Sequence, residues 1–209
     1  MPPSLEEDLL FGVRTHAMPL EIADADRATG SRIGGSPPIA LAPETCPRCD
    51  NARHYVATFE QDVLGGAAAG QALSLLVCSG PCRNTGRAPN GGYAVVVHDP
   101  SPRGPRTSWQ WAPRGRGLDA GAPTRDREID PLAPGFMRGP KVGGQPFFVD
   151  EPIEVDDGQA FLIQLPDDVG PAETEGDYLL GGTGTVYVYG TAGTDGPTIA
   201  GASVEVELA

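Results

Sequence analysis

The sequence predicts a mainly β protein, α+β at most, built as two tandem β-rich repeats of antiparallel strands with few short helices. Three observations lead there. Glycine and proline are abundant, 29 and 22 of 209 residues, a composition that suits turns and disfavours long helices. The apolar runs are short, β-branched or aromatic, and bounded by turn residues. Two stretches of the chain also carry the same motifs in the same order.

Residues 1–30 read as an N-terminal segment. Its helix candidate is 4–13, where Ser4 can cap and Glu6, Glu7 and Asp8 suit the positive end of the helix dipole. The first β repeat, 31–99, opens with Ser31-Arg32-Ile33-Gly34-Gly35-Ser36-Pro37 and continues with Tyr55-Val56-Ala57-Thr58-Phe59. It then passes Gly65-Gly66 into Ala72-Leu73-Ser74-Leu75-Leu76-Val77-Cys78, and a further strand spans Tyr93–His98. Residues 100–139, rich in Pro, Gly and Arg, read as a linker or surface loop. This stretch holds Trp109 and Trp111 and the arginines 103, 106, 114, 116, 125 and 127.

The second β repeat, 140–209, opens with Pro140-Lys141-Val142-Gly143-Gly144-Gln145-Pro146. It continues with Phe161-Leu162-Ile163-Gln164-Leu165, then Gly181-Gly182 and Thr185-Val186-Tyr187-Val188-Tyr189. At 203–208 Val204, Val206 and Leu208 alternate with Glu205 and Glu207, as in a strand with one wet face. Gly34-Gly35 and Gly143-Gly144 are turns free to take positive φ, and the proline two residues on leads into extended chain.

All four cysteines lie in the first repeat, as Cys46-Pro-Arg-Cys49 and Cys78-Ser-Gly-Pro-Cys82. Two thiolates on each of two tight turns make the pattern of two knuckles over one metal ion, with zinc in a closed tetrahedral site. The zinc is expected to be structural, because a closed site leaves no position for water or substrate. Two disulfides and unrelated buried thiols are the competing readings, and a reducing compartment favours zinc. His54, just after the first knuckle, could substitute as a ligand or orient a thiolate, but with four cysteines present no position needs it.

No stretch reaches the roughly 20 apolar residues of a membrane span, and 9–13 is too short for a secretory core, so the expected location is cytoplasmic. The net charge of -13 opposes a phosphate backbone, so nucleic acid is not an expected partner; a basic protein is. The histidines His16, His54 and His98 stand in no catalytic spacing, and no nucleophile elbow, phosphate loop or dinucleotide fingerprint occurs. Asp156-Asp157 and Asp167-Asp168 are neighbours whose side chains diverge on extended chain, which suits solvated turns better than a general acid and base.

The paired motifs resemble the programmed cell death protein 2 family and its YwqG-like bacterial relatives. The resemblance rests on 33–37, the Cys46 and Cys49 knuckle, 55–59 and the strand ending at Cys78 and Cys82. In the second copy it rests on 142–146, 161–164 and 181–188. It implies a two-repeat antiparallel β fold without known catalysis and, from the eukaryotic branch, a chaperone for a basic, newly made ribosomal protein. This chain departs from that branch in being short and in carrying no cysteines in its second copy. The expected function is a non-catalytic, zinc-stapled protein-binding module, chaperone-like for a basic client. A toxin-neutralising immunity-type protein and an enzyme with an unrecognised site stay open beside it.

Overall fold

Short β-branched and aromatic segments separated by glycine turns leave the chain little choice but to pair with itself, and the computed structural model is a single antiparallel sheet. The structure describes residues 16–23, 27–84, 92–105, 108, 115–121, 124–125, 139–148, 153, 155–166 and 184–208. The helix expected at 4–13, Trp109, Trp111, Gly181-Gly182 and Asp167-Asp168 lie outside them.

The first strands are β1 (His16–Ile22), which precedes the first repeat, and β2 (Arg32–Gly34), β3 (Arg53–Phe59), β4 (Ala72–Cys78) and β5 (Tyr93–His98) within it. After them come β6 (Gly115–Ala120), β7 (Thr124–Arg125), β8 (Lys141–Gly143), β9 (Gln159–Pro166), β10 (Gly184–Thr191) and β11 (Thr198–Leu208). One short helix, α1 (Gln61–Leu64), follows β3 and runs into a 3-10 turn at Gly65–Ala68.

The sheet order is β11-β10-β9-β8-β1-β6-β2-β3-β4-β5, with β7 also paired to β1. The two outermost strands, β5 and β11, come to lie beside each other, so the sheet is curled until it is nearly closed. Its concave side holds the main core, with Ile33, Phe59, Leu73, Leu75, Ile163, Leu165, Val186 and Val188 all buried. α1 and its 3-10 turn add Val63, Leu64 and Ala68 to that core.

The two motif series occupy equivalent places. Arg32 and Ile33 face Thr58 and Ala57 in one half; Lys141 and Val142 face Gln164 and Ile163 in the other. Gly34 and Gly35 have φ of 69° and 70°, and Gly143 and Gly144 both have 69°. Two consecutive left-handed residues are costly for anything but glycine, which is why the pair recurs.

Each half also carries a β-bulge at the same point. The β3–β4 register steps from Tyr55↔Leu76 to Ala57↔Leu75, and the β9–β10 register from Phe161↔Tyr189 to Ile163↔Val188. The extra residues, Val56 and Leu162, are both buried in the main core. Beyond each Gly-Gly turn the chain crosses the convex side of its own half. There Leu41 packs on Tyr55 and Leu76, and Ile153 packs with Tyr187 and Tyr189.

Three strands fall where strands were not expected. β1 lies in the N-terminal segment, and β6 and the two-residue β7 lie in the stretch read as a linker; β1 and β6 together form the middle of the sheet. The sequence Gly115-Arg116-Gly117-Leu118-Asp119-Ala120 has one large apolar residue and reads as a loop. The glycines serve close approach instead. A Cβ at Gly117 would collide with the Arg27 guanidinium, and one at Gly121 would sit 2.8 Å from Pro19 Cγ. Proline in β1 is tolerated because Pro19 needs only to accept, taking the Gly121 N–H at 2.8 Å where β6 ends.

Substitution by alanine separates conformational from spatial roles of glycine. Gly144→Ala should lower stability by about 1 kcal/mol, from forcing a Cβ into the left-handed region. Gly66→Ala, where nothing lies within 4 Å of the added methyl, should be neutral or stabilising. Thermal denaturation of both variants beside the parent checks this, and equal effects would contradict it.

Candidate metal centre

The β3–β4 ladder determines where the thiols go. Arg53, the first residue of β3, stands opposite Cys78, the last of β4, so the chain before one and after the other meets at the same end of the hairpin. Before Arg53 the backbone doubles back on itself. Arg53 N–H donates to Glu44 O at 2.8 Å, Cys46 N–H to Asn51 O at 2.8 Å and Asp50 N–H to Cys46 O at 2.9 Å. Asp50 closes this turn in the left-handed region, φ 57°, which Asp adopts more readily than most L residues. After Cys78, the Ser79 N–H donates to Ala52 O at 2.9 Å, and Pro81 opens a 3-10 turn, Pro81–Asn84, that carries Cys82.

The four sulfurs of Cys46, Cys49, Cys78 and Cys82 lie within 4.8 Å of one another, and those of Cys49 and Cys78 are 3.5 Å apart. A tetrahedral site with metal–sulfur bonds of ~2.3 Å has sulfur–sulfur edges of about 3.8 Å. The cluster thus has the dimensions to hold one metal ion. It has no disulfide: the four thiols are free. Cys46, Cys78 and Cys82 are buried and Cys49 is half-buried.

The knuckles are tied together through small contacts. Gly80 N–H donates to Cys78 Sγ at 3.2 Å, and the Asn51 side-chain amide donates to Cys49 Sγ at 3.3 Å. A Cβ at Gly80 would collide with that same amide, so glycine is what allows the second knuckle to close on the first.

The thiols titrate in opposite directions. The Asn51 backbone N–H pulls Cys49 down to about 6 against the opposing effect of burial, helped by the Asn51 side chain and by Cys78 and Cys82. Cys82 is pushed up to about 12, chiefly by its hydrogen bond to Cys49 and then by burial. Burial is the main cause raising Cys78, and Gly80 N–H opposes it. One thiolate therefore forms easily and suppresses its neighbours. A bound cation stabilises all four as thiolates, the usual ligand state for such a site.

Four soft sulfur donors, mostly buried, make a ligand set that could hold one metal ion. His54 is not in the cluster; among the described residues the four cysteines are the group with metal-binding geometry.

Sequence reasoning missed a second polar constellation. Ser74 Oγ lies 2.8 Å from His98 Nε2, and His98 Nδ1 lies 2.8 Å from the Asp99 carbonyl. A carbonyl only accepts, so in the neutral ring Nδ1 carries the proton and Nε2 accepts from Ser74. Ser74 then accepts from Thr58 at 2.8 Å, and Thr58 from the Tyr55 hydroxyl at 3.0 Å. Burial, the largest cause, pushes the Tyr55 phenol up to about 12, which keeps it a donor.

Hydroxyl, imidazole and orienting oxygen are in the order of a hydrolytic dyad, but Ser74 has 0% exposure. What the chain of hydrogen bonds does is satisfy four polar groups on the covered face of the first half. The only hint in the sequence was the lone serine inside Ala72–Cys78; its link to His98 depends on the β4–β5 register. Asp156 and Asp157 are exposed in a turn where the Asp156 carbonyl accepts the Gln159 N–H at 3.1 Å.

No protein-family model matches the chain, and no curated protein sequence matches it. Among the described residues no helix is long and apolar enough to cross a membrane.

Metal-free, reduced protein that keeps its far-ultraviolet circular dichroism should be alkylated by iodoacetamide first at Cys49, with a rate midpoint near pH 6. Asn51→Ala should move that midpoint upward by removing the side-chain donor. Peptide mass spectrometry across pH reads both, and preferential modification of buried Cys82 would contradict the assignment.

Proposed function

We propose that this protein is a zinc-stapled protein-binding module that escorts a basic client in a reducing, cytoplasmic compartment. The observation that carries the reading is the net charge of -13. An acidic molecule attracts a basic partner over the Debye length and keeps it from nucleic acid by competing for the same cations. The resemblance to the programmed cell death protein 2 family points the same way, since its eukaryotic branch escorts a basic ribosomal protein. The closed thiolate cluster suits structure rather than turnover.

Zinc is the expected ion because an all-cysteine tetrahedral set selects it among abundant divalent metals. Its role is to fasten the 44–53 turn to the end of β4. The ligands meet only in the folded chain, so the binding energy adds directly to folding stability.

Purified protein should contain about one zinc per chain by elemental analysis, and Cys49→Ser should lower both zinc content and thermal stability. Iron in the site would reject zinc without rejecting a structural role; a metal-free parent with the same thermal stability as the metal-loaded protein would reject both. Affinity purification from the native cell followed by mass spectrometry should recover a basic protein. Its measured Kd should weaken at least about tenfold when salt is raised from low to high concentration, as expected for exposed complementary charge. A partner that is acidic, or bound equally at both salt levels, overturns the proposal.

A further inference from the structure

The sheet order holds a relation that the tandem repeats alone do not require. Among the described residues β1 pairs with β6, β7 and β8, and β6 pairs with β1 and β2. The leading strand of the first half thus lies against the second half, and the leading strand of the second half against the first.

The registers are interchangeable. Ala17, Met18 and Pro19 of β1 face Gly143, Val142 and Lys141; Gly115, Arg116 and Gly117 of β6 face the equivalent Gly34, Ile33 and Arg32. The same exchange maps Leu20 onto Leu118, and the two leading strands then pair with each other symmetrically. Leu20↔Ala120 becomes Leu118↔Ile22, and Glu21↔Asp119 maps onto itself. Backbone bonds obey the relation as well. Leu20 N–H to Pro140 O at 2.8 Å matches Leu118 N–H to Ser31 O at 2.9 Å, and Ala23 N–H to Gly117 O at 2.9 Å matches Gly121 N–H to Pro19 O at 2.8 Å.

We infer that the protein is an interlocked pair of half-units, each completed by the other's leading strand, around a pseudo-twofold axis between Glu21 and Asp119. All other ladders stay within 32–98 or within 141–208. Among the described residues the strand pairing between the halves therefore runs through β1 and β6. Cutting the chain between β5 and β6 leaves one piece whose β1 is held by the other, and another whose β6 is held by the first. Covalent continuity between Gly104, which is bonded to the first half, and β6 is dispensable for the integrity of the fold, and neither half is complete alone.

A recognition site for a sequence-specific protease placed within 106–114 tests this in the full-length chain. After cleavage the two fragments should co-elute at the volume of the uncut protein, keep the circular dichroism spectrum, and separate only in denaturant. Fragments that part under native conditions, or one that elutes alone with a folded spectrum, would overturn the interlock. Hydrogen exchange in the uncut protein gives an independent reading: the amides of Leu20, Ala23, Leu118 and Gly121 should share one protection level. Exchange at Leu20 faster than at Leu118 by more than about tenfold would mean that β1 frays by itself and would equally reject the proposal.

Discussion

The pairing of β1 with β6 is the constraint on which the sheet depends. Without it the sheet parts between β1 and β6 into two small curled pieces, one ending in β8-β1 and the other in β6-β2, each marginal in size. The forces at this pairing are unequal. Leu20 and Leu118 are buried in the main core at 5% and 1% exposure, and removing each from water contributes on the order of 2 kcal/mol. Glu21 faces Asp119, a like-charge pair that costs on the order of 0.5 kcal/mol. Arg27, 2.7 Å from Asp119, offsets part of that, but the ion pair is exposed and worth little. The apolar contacts win.

From that centre the halves are built alike and finished differently. Both bury a cation beside the Gly-Gly turn, Arg32 and Lys141, each at 0% exposure. Arg32 is compensated by the Gly30 carbonyl at 2.7 Å and by Glu60 and the Ser101 carbonyl at 3.4 Å. On the covered face the first half runs a hydroxyl chain to His98. In the second half, at the position equivalent to Ser74, the Tyr187 hydroxyl bonds to Glu207 at 2.7 Å. Both solutions follow from one geometry, since a row of polar side chains placed under a crossing loop must find partners. Only the first half places cysteines in that loop.

The cluster shows how a sheet supports a small site. Two short turns at one end of the β3–β4 hairpin position the four thiols, one of them the 3-10 turn that carries Cys82. The β3–β4 ladder fixes Arg53 opposite Cys78, the 44–53 turn folds back by its own backbone bonds, and Gly80 leaves room for Asn51. A rigid ladder with two short, well-bonded turns suffices for a closed ligand set, which demands fixed geometry and no access.

The strand content, the two Gly-Gly turns and the four-cysteine group were legible in the sequence because each depends on local chemistry. β-branched runs favour extended chain, consecutive positive φ requires glycine, and paired thiols at knuckle spacing can meet only across a turn. The places of β1 and β6 were not legible. Pro19, Gly115 and Gly117 read as loop residues, and they belong to strands only because Arg27 and the neighbouring backbones approach closely in space, with Gly121 just past the end of β6 packed on Pro19. The Ser74 and His98 link was hidden for the same reason, since it depends on register between strands. Local conformation is written in neighbouring residues; which strand lies beside which is decided by burial summed over the whole sheet, and that sum exists only once the chain has closed on itself.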